Sequence, residues 1–154
     1  MNKIGLKNEY TDKMAEKLNV YLSNVQIAYM NARGLHWNIT GKQFFSLHEK
    51  FEGVYDRLSD MADEIAERIL MLGGSPLHSF SDYIKVASIK EKLNISSTEG
   101  SVQAFLEDTE YLLGAEREIL AEASDNNDEG TVNLMSGYIE EQEKTIWMFN
   151  AFLK

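Results

Sequence analysis

The stretch FFSLHEKFEGVYDRLSDMADEIAERILMLGG, residues 44–74, decides how this chain folds. Phe44/Phe45, Leu47, Phe51, Val54/Tyr55, Leu58, Met61/Ala62, Ile65 and Ile69 recur at spacings of three and four, the signature of one apolar helix face. Gly73-Gly74 and then Pro76 supply the usual stop. We label this predicted helix B and read the rest of the chain outward from it.

Upstream, between about Lys7 and Trp37, Leu18, Tyr21/Leu22, Val25, Ala28/Tyr29, Ala32 and Leu35 repeat the spacing, giving helix A, which ends near Asn38 to Gly41. Downstream the periodicity weakens from Gly73 to about Thr98, where only Ser81 to Ala87 reads as a short amphipathic helix. Helix C follows from about Ser101 to Ser124, and the polar Asp125-Asn126-Asn127-Asp128 ends it. Helix D runs from about Glu129 to Phe152 on Val132, Met135, Ile139, Gln142, Ile146 and Phe149. Trp147 and its Met and Phe neighbours, also at helical spacing, read as core or interface packing. Four helices of this length, a short A–B loop and a long B–C connection predict an all-α four-helix bundle with one crossover that contains a short helix.

The 154 residues fit a single domain over 1–154, with residues 1–6 as a flexible N-terminal arm. With no cysteine, disulfides and thiolate metal sites are excluded, so a transition metal must bind through imidazole and carboxylate. No stretch approaches the roughly 18 apolar residues of a membrane span, and the N-terminus lacks an apolar leader, so the expected location is the cytoplasm. A net charge of −10 disfavours a polyanion such as DNA and suits cations.

Two of the three histidines, His36 and His48, flank the A–B turn. Taking His48 as the origin, at ~100° per residue, Glu52, Asp63 and Glu67 fall at about 40°, 60° and 100° on helix B, forming one stripe. The stripe cannot serve one metal ion within one chain, because His48 and Asp63 are about 22 Å apart along the axis while ligand bonds are near ~2 Å. A second helix B packed antiparallel across a two-fold axis near Asp56 to Leu58 resolves this. The pairs His48 with Glu67 and Glu52 with Asp63 are centred on the same point, so two copies complete two identical sites. His36, folded back at Thr40-Gly41, joins His48. Such nitrogen and oxygen ligands suit ferrous iron, with zinc or manganese as competitors. Bundles that hold a di-metal centre inside one chain carry Glu-x-x-His motifs. Here Arg33, Phe45 and Ser75 stand three residues before the histidines, so an intrasubunit site of that kind is not expected. His78, alone in the connection, has no assigned role.

LHWNITGKQFFSLHEKFE (35–52) and MADEIAERIL (61–70), with GGSPLHSFSDY after helix B and EEQEKTIWMFNAFL near the end, closely resemble the Dps family of mini-ferritins over essentially the whole chain. The resemblance implies a ferritin-like bundle, a dodecameric hollow shell, and ferroxidase sites at its two-fold interfaces. By that pattern His36, His48 and the acidic residue four positions on come from one subunit, and Asp63 and Glu67 from its neighbour. The family usually has aspartate where this chain has Glu52, whose extra methylene alters its reach. The implied chemistry is Fe(II) oxidation, preferentially by hydrogen peroxide, and storage of Fe(III) as a mineral, which protects against oxidative damage. Trp37 corresponds to a family tryptophan that donates electrons near the site; it reads equally as an aromatic plug in the interface. Asp125, Asp128 and Glu129 fall where the family lines iron-admitting pores, although its aspartate two residues after the threonine is Asn133 here. Glu49 and Asp60 are candidates for nucleating mineral on the cavity side. Many relatives compact DNA through lysine-rich tails, the alternative function. Here Lys3, Lys7 and Lys154 are the only basic residues at the ends, which argues against strong DNA binding.

Overall fold

A computed structural model describes residues 1–154. It is all-helical: α1 (Asn8–Asn38), α2 (Phe44–Met71), α3 (Phe80–Val86), α4 (Thr98–Asp125) and α5 (Glu129–Phe152). The four-helix bundle expected from the periodicity is present, with α3 in the long crossover. The start of α4 is earlier than the apolar pattern suggests, because Ser97 caps the helix by accepting a hydrogen bond from Gly100 N–H at 3.1 Å. Periodicity sees only the first buried residues, whereas the cap sets the boundary. Ser97→Ala should therefore cost about 1 kcal/mol, read from urea unfolding.

The end of α2 follows the glycine pair as the sequence requires. Gly73, at φ +90°, and Gly74 donate backwards to the carbonyls of Leu70 and Ile69, the reciprocal closure of a Schellman ending. Gly74 also has to be small, since a Cβ there would fall 2.6 Å from the Cβ of Ala15. The connection beyond it is tied down by polar side chains of α1. Asn24 Oδ1 accepts from the amides of Ser88 and Ile89, and Asn31 Oδ1 accepts from that of Lys92.

Two apolar clusters fill the bundle. The larger runs from Tyr10 and Met14 through Leu18, Leu22 and Ile65 to Met135 and Tyr138. The smaller lies under the α1–α2 turn and joins Leu35, Ile39, Leu47 and Phe51 to Val102, Phe105 and Phe149. There Phe51, Phe105 and Phe149 meet with ring centroids 4.6 to 6.1 Å apart. The same cluster packs Leu35 and Ile39 at the end of α1 against Leu47 and Phe51 at the start of α2, where His36 and His48 meet. Trp147 is 66% exposed, which removes it from the core of this chain and leaves the interface half of its expected role.

Candidate metal centre

The turn brings His36 and His48 into face-to-face contact, with ring centroids 3.8 Å apart and planes 16° from parallel. His36 Nδ1 lies 2.6 Å from the backbone carbonyl of His48, and His48 Nδ1 lies 2.8 Å from that of His36. A carbonyl oxygen only accepts, so each Nδ1 must carry its hydrogen and donate it. In the neutral ring this tautomer leaves Nε2 with a free lone pair. This is the arrangement by which a metal-binding imidazole is oriented through its other nitrogen. His36 is buried and His48 half-buried. Phe44 stacks on His48 at 4.9 Å, and the edge of Tyr55 meets His36 at 5.2 Å, so neither imidazole is free to turn.

Beside this pair sits a group that the sequence reading missed. The Arg33 guanidinium carbon lies 4.6 Å from the Tyr55 ring centre, 5.6 Å from that of Tyr29 and 5.2 Å from that of Trp37, and Nη1 donates to the Tyr29 hydroxyl at 2.6 Å. Burial, together with the carboxylates of Glu52 and Asp56, holds the Tyr55 phenol above its ordinary range, against the opposing effect of Arg33. Tyr55 stands two helical turns beyond His48 and thus on its side of α2, a spacing that could have marked it. Trp37 is 58% exposed, its indole on the rim of this cluster.

The remaining stripe residues, Glu52, Asp63 and Glu67, are exposed along α2. Nowhere in one chain do three His, Asp or Glu side chains converge as a metal would need. The structure therefore gathers the two imidazoles and leaves the carboxylates facing outward.

The ferritin-like domain family matches residues 15–154. A solved Dps protein from Vibrio cholerae, described as a member of a broad superfamily of ferritin-like diiron-carboxylate proteins, superposes with a TM-score of 0.97 at 50% identity, covering 100% of this chain and 97% of its own. The chain belongs to the Dps family of ferritin-like proteins. Other Dps relatives include the DNA protection during starvation protein of Porphyromonas gingivalis, 40% identical over 96% of this chain and 93% of that one. The Dps structure from Bacillus brevis matches with a TM-score of 0.92 at 34% identity, covering 97% and 100% of the two chains.

Within this Dps chain the three acidic residues considered for a pore separate. Asp125 and Glu129 are exposed, but Asp128 is only 2% exposed and is excluded as a pore-lining group. Its carboxylate caps α5, accepting from the amide and hydroxyl of Thr131, from the Tyr10 hydroxyl, and from Arg68. The sequence pattern did not separate a capping aspartate from the two exposed acids around it. No helix is long and apolar enough to cross a membrane.

Proposed function

We propose that this protein stores and detoxifies iron in the cytoplasm. It oxidises Fe(II), preferentially with hydrogen peroxide, and holds Fe(III) as a mineral inside a dodecameric shell of identical chains. The observation that carries this reading is the pair of adjacent imidazoles with both Nδ1–H groups committed to backbone carbonyls and both Nε2 atoms free. In each site His36, His48 and Glu52 of one subunit face Asp63 and Glu67 of the two-fold neighbour. Iron is the substrate. One peroxide accepts two electrons, one from each of two ferrous ions, and is reduced to water with the uptake of two protons, so no hydroxyl radical is released. The chain's part is to hold ferrous ions beside the oxidant with ligands whose carboxylates favour the ferric product. Zinc and manganese compete for the same ligands. Trp37 stands ready as an electron donor at the rim, while Asp125 and Glu129 offer a cation path into the shell.

Protection of DNA, as in the name of the Porphyromonas gingivalis relative, follows from removing iron and peroxide and needs no contact with DNA. The net charge of −10 opposes such contact, and no gel shift is expected at physiological salt. The deciding experiment loads Fe(II) anaerobically, adds peroxide, and follows ferric formation in the wild type and in His36→Ala/His48→Ala. The variant should lose the rapid phase. Equal rates would overturn the assignment.

A further inference from the structure

At the centre of the bundle, away from the histidine pair, α4 buries an acid that the iron chemistry does not use. Glu116 is 0% exposed. Its Oε1 accepts two hydrogen bonds, from the Tyr21 hydroxyl on α1 and from the Gln142 amide on α5. Its Oε2 has no partner, and neither does Gln142 Oε1, although both atoms are buried. A carboxylate oxygen and an amide oxygen are both acceptors only, so as an anion Glu116 leaves two bare acceptors in the core. Each such group is costly in a core, because the hydration it loses is not replaced. Turning the Gln142 amide over would not help, since it would set its oxygen against Glu116 Oε1.

One proton resolves both. We infer that Glu116 is a carboxylic acid in the folded bundle, its Oε2–H donated to Gln142 Oε1, so that acid and amide close a two-bond ring that opens when the proton leaves. The surrounding charges agree. On α4, Arg117 pairs outward with Glu143; on α2, Arg57 pairs with Glu141 and Glu64; and on α5, Tyr138 donates to Glu64. No salt bridge reaches Glu116; Arg117 acts on it only from a distance, and Glu141 opposes that effect. Burial, only partly offset by the donors Tyr21 and Gln142, pushes the carboxyl up to about 7. Gln142 also lines a 560 Å³ cavity among α1, α2, α4 and α5 that is walled by Leu58, Met61 and Leu112.

The fold thus contains a proton site whose occupancy falls across neutrality and which joins α1, α4 and α5. It does not depend on the iron reading. Because the folded value lies above the unfolded value of 4.5, the stability this group contributes is complete below that value and is lost as pH rises through about 7. The difference corresponds to a proton affinity about 300-fold that of an exposed glutamate.

Infrared difference spectra of the assembled protein test this directly. Wild type minus Glu116→Gln should show a protonated-carboxyl band at pH 6 that disappears through about pH 7. Asp108, the other carboxyl pushed up by burial, is common to both proteins and cancels. Glu116→Gln keeps an acceptor for Tyr21 and supplies the missing donor to Gln142, so its stability should stay level while that of the wild type falls with pH. Tyr21→Phe removes a donor that favours the anion and should move the band's midpoint up by about one pH unit, tenfold in proton affinity. If Glu116→Gln fails to fold, the wild-type and Tyr21→Phe titrations decide alone. No acid band at pH 6, a band that survives in Glu116→Gln, or a midpoint unmoved by Tyr21→Phe would each overturn the inference.

Discussion

Chains carrying His36→Ala/His48→Ala, assembled together with chains carrying Asp63→Asn/Glu67→Gln, should recover iron oxidation that neither variant shows alone. The reason is geometric. The imidazole pair and Asp63 are about 22 Å apart along α2 within one chain, so a metal held by both must lie between two chains. In a mixed dimer one site combines both lesions and is dead, while the other combines intact histidines with intact carboxylates. Mixed dimers, isolated with two different tags, should therefore show about half of the wild-type rate, one working site of two. Loss of groups that merely orient a ligand typically costs 10–100-fold, so each parent, lacking the proposed ligands themselves, should fall by at least about 100-fold. The result that sinks a shared site is a mixed dimer as inactive as its parents. If the carboxylate variant alone kept full activity, Asp63 and Glu67 would not be ligands at all.

The stripe on α2 was legible because a helix of this length has one repeat, and repeat plus residue type places His48, Glu52, Asp63 and Glu67 without coordinates. The proximity of His36 to His48 was legible too, from the turn between them. Their mutual backbone hydrogen bonds were not, because spacing says nothing about ring orientation or about which nitrogen is committed. Arg33 and Tyr55 were missed for a related reason: the guanidinium is held by aromatic faces rather than by an acid, and such contacts have no charge pattern to search for. Glu116 did leave a trace. It stands in register with Leu112, Ile119 and Ala123, all buried. An acid at an apolar position of a helix is either a misread face or a buried proton, and only the packing separates the two.

Arg68→Met is expected to destabilise the subunit by about 3 kcal/mol at neutral pH, the largest loss anticipated from any single surface-adjacent change. Arg68 and Asp128 form an ion pair whose side chains are 14% and 1% exposed. Arg68 Nε also donates to Thr131 Oγ1 at 2.9 Å, and Tyr10 reaches Asp128 at 2.8 Å, so α1, α2 and the start of α5 meet on one carboxylate. Gly130 is part of the arrangement, since a Cβ there would lie 2.8 Å from Arg68 Nη1. Methionine keeps most of the stem and removes the charge, leaving Asp128 buried with neutral donors only. Breaking a buried pair in this way usually costs 3–5 kcal/mol, and the Tyr10 and Thr131 bonds that survive place this case near ~3. Burial alone would push the Asp128 carboxyl up. The Thr131 hydroxyl and amide, the Tyr10 hydroxyl and Arg68 outweigh it and hold the carboxyl below its ordinary value of 3.8. Its contribution to stability is therefore present above that value and lost as pH falls through the depressed one. In Arg68→Met the acid transition should begin at higher pH, visible in urea unfolding midpoints measured from pH 7 down to pH 3. Asp128→Asn separates this structural role from a pore. A pore residue would slow iron uptake and leave the unfolding curve unchanged, whereas a buried cap shifts the curve and leaves uptake by the folded protein as it was.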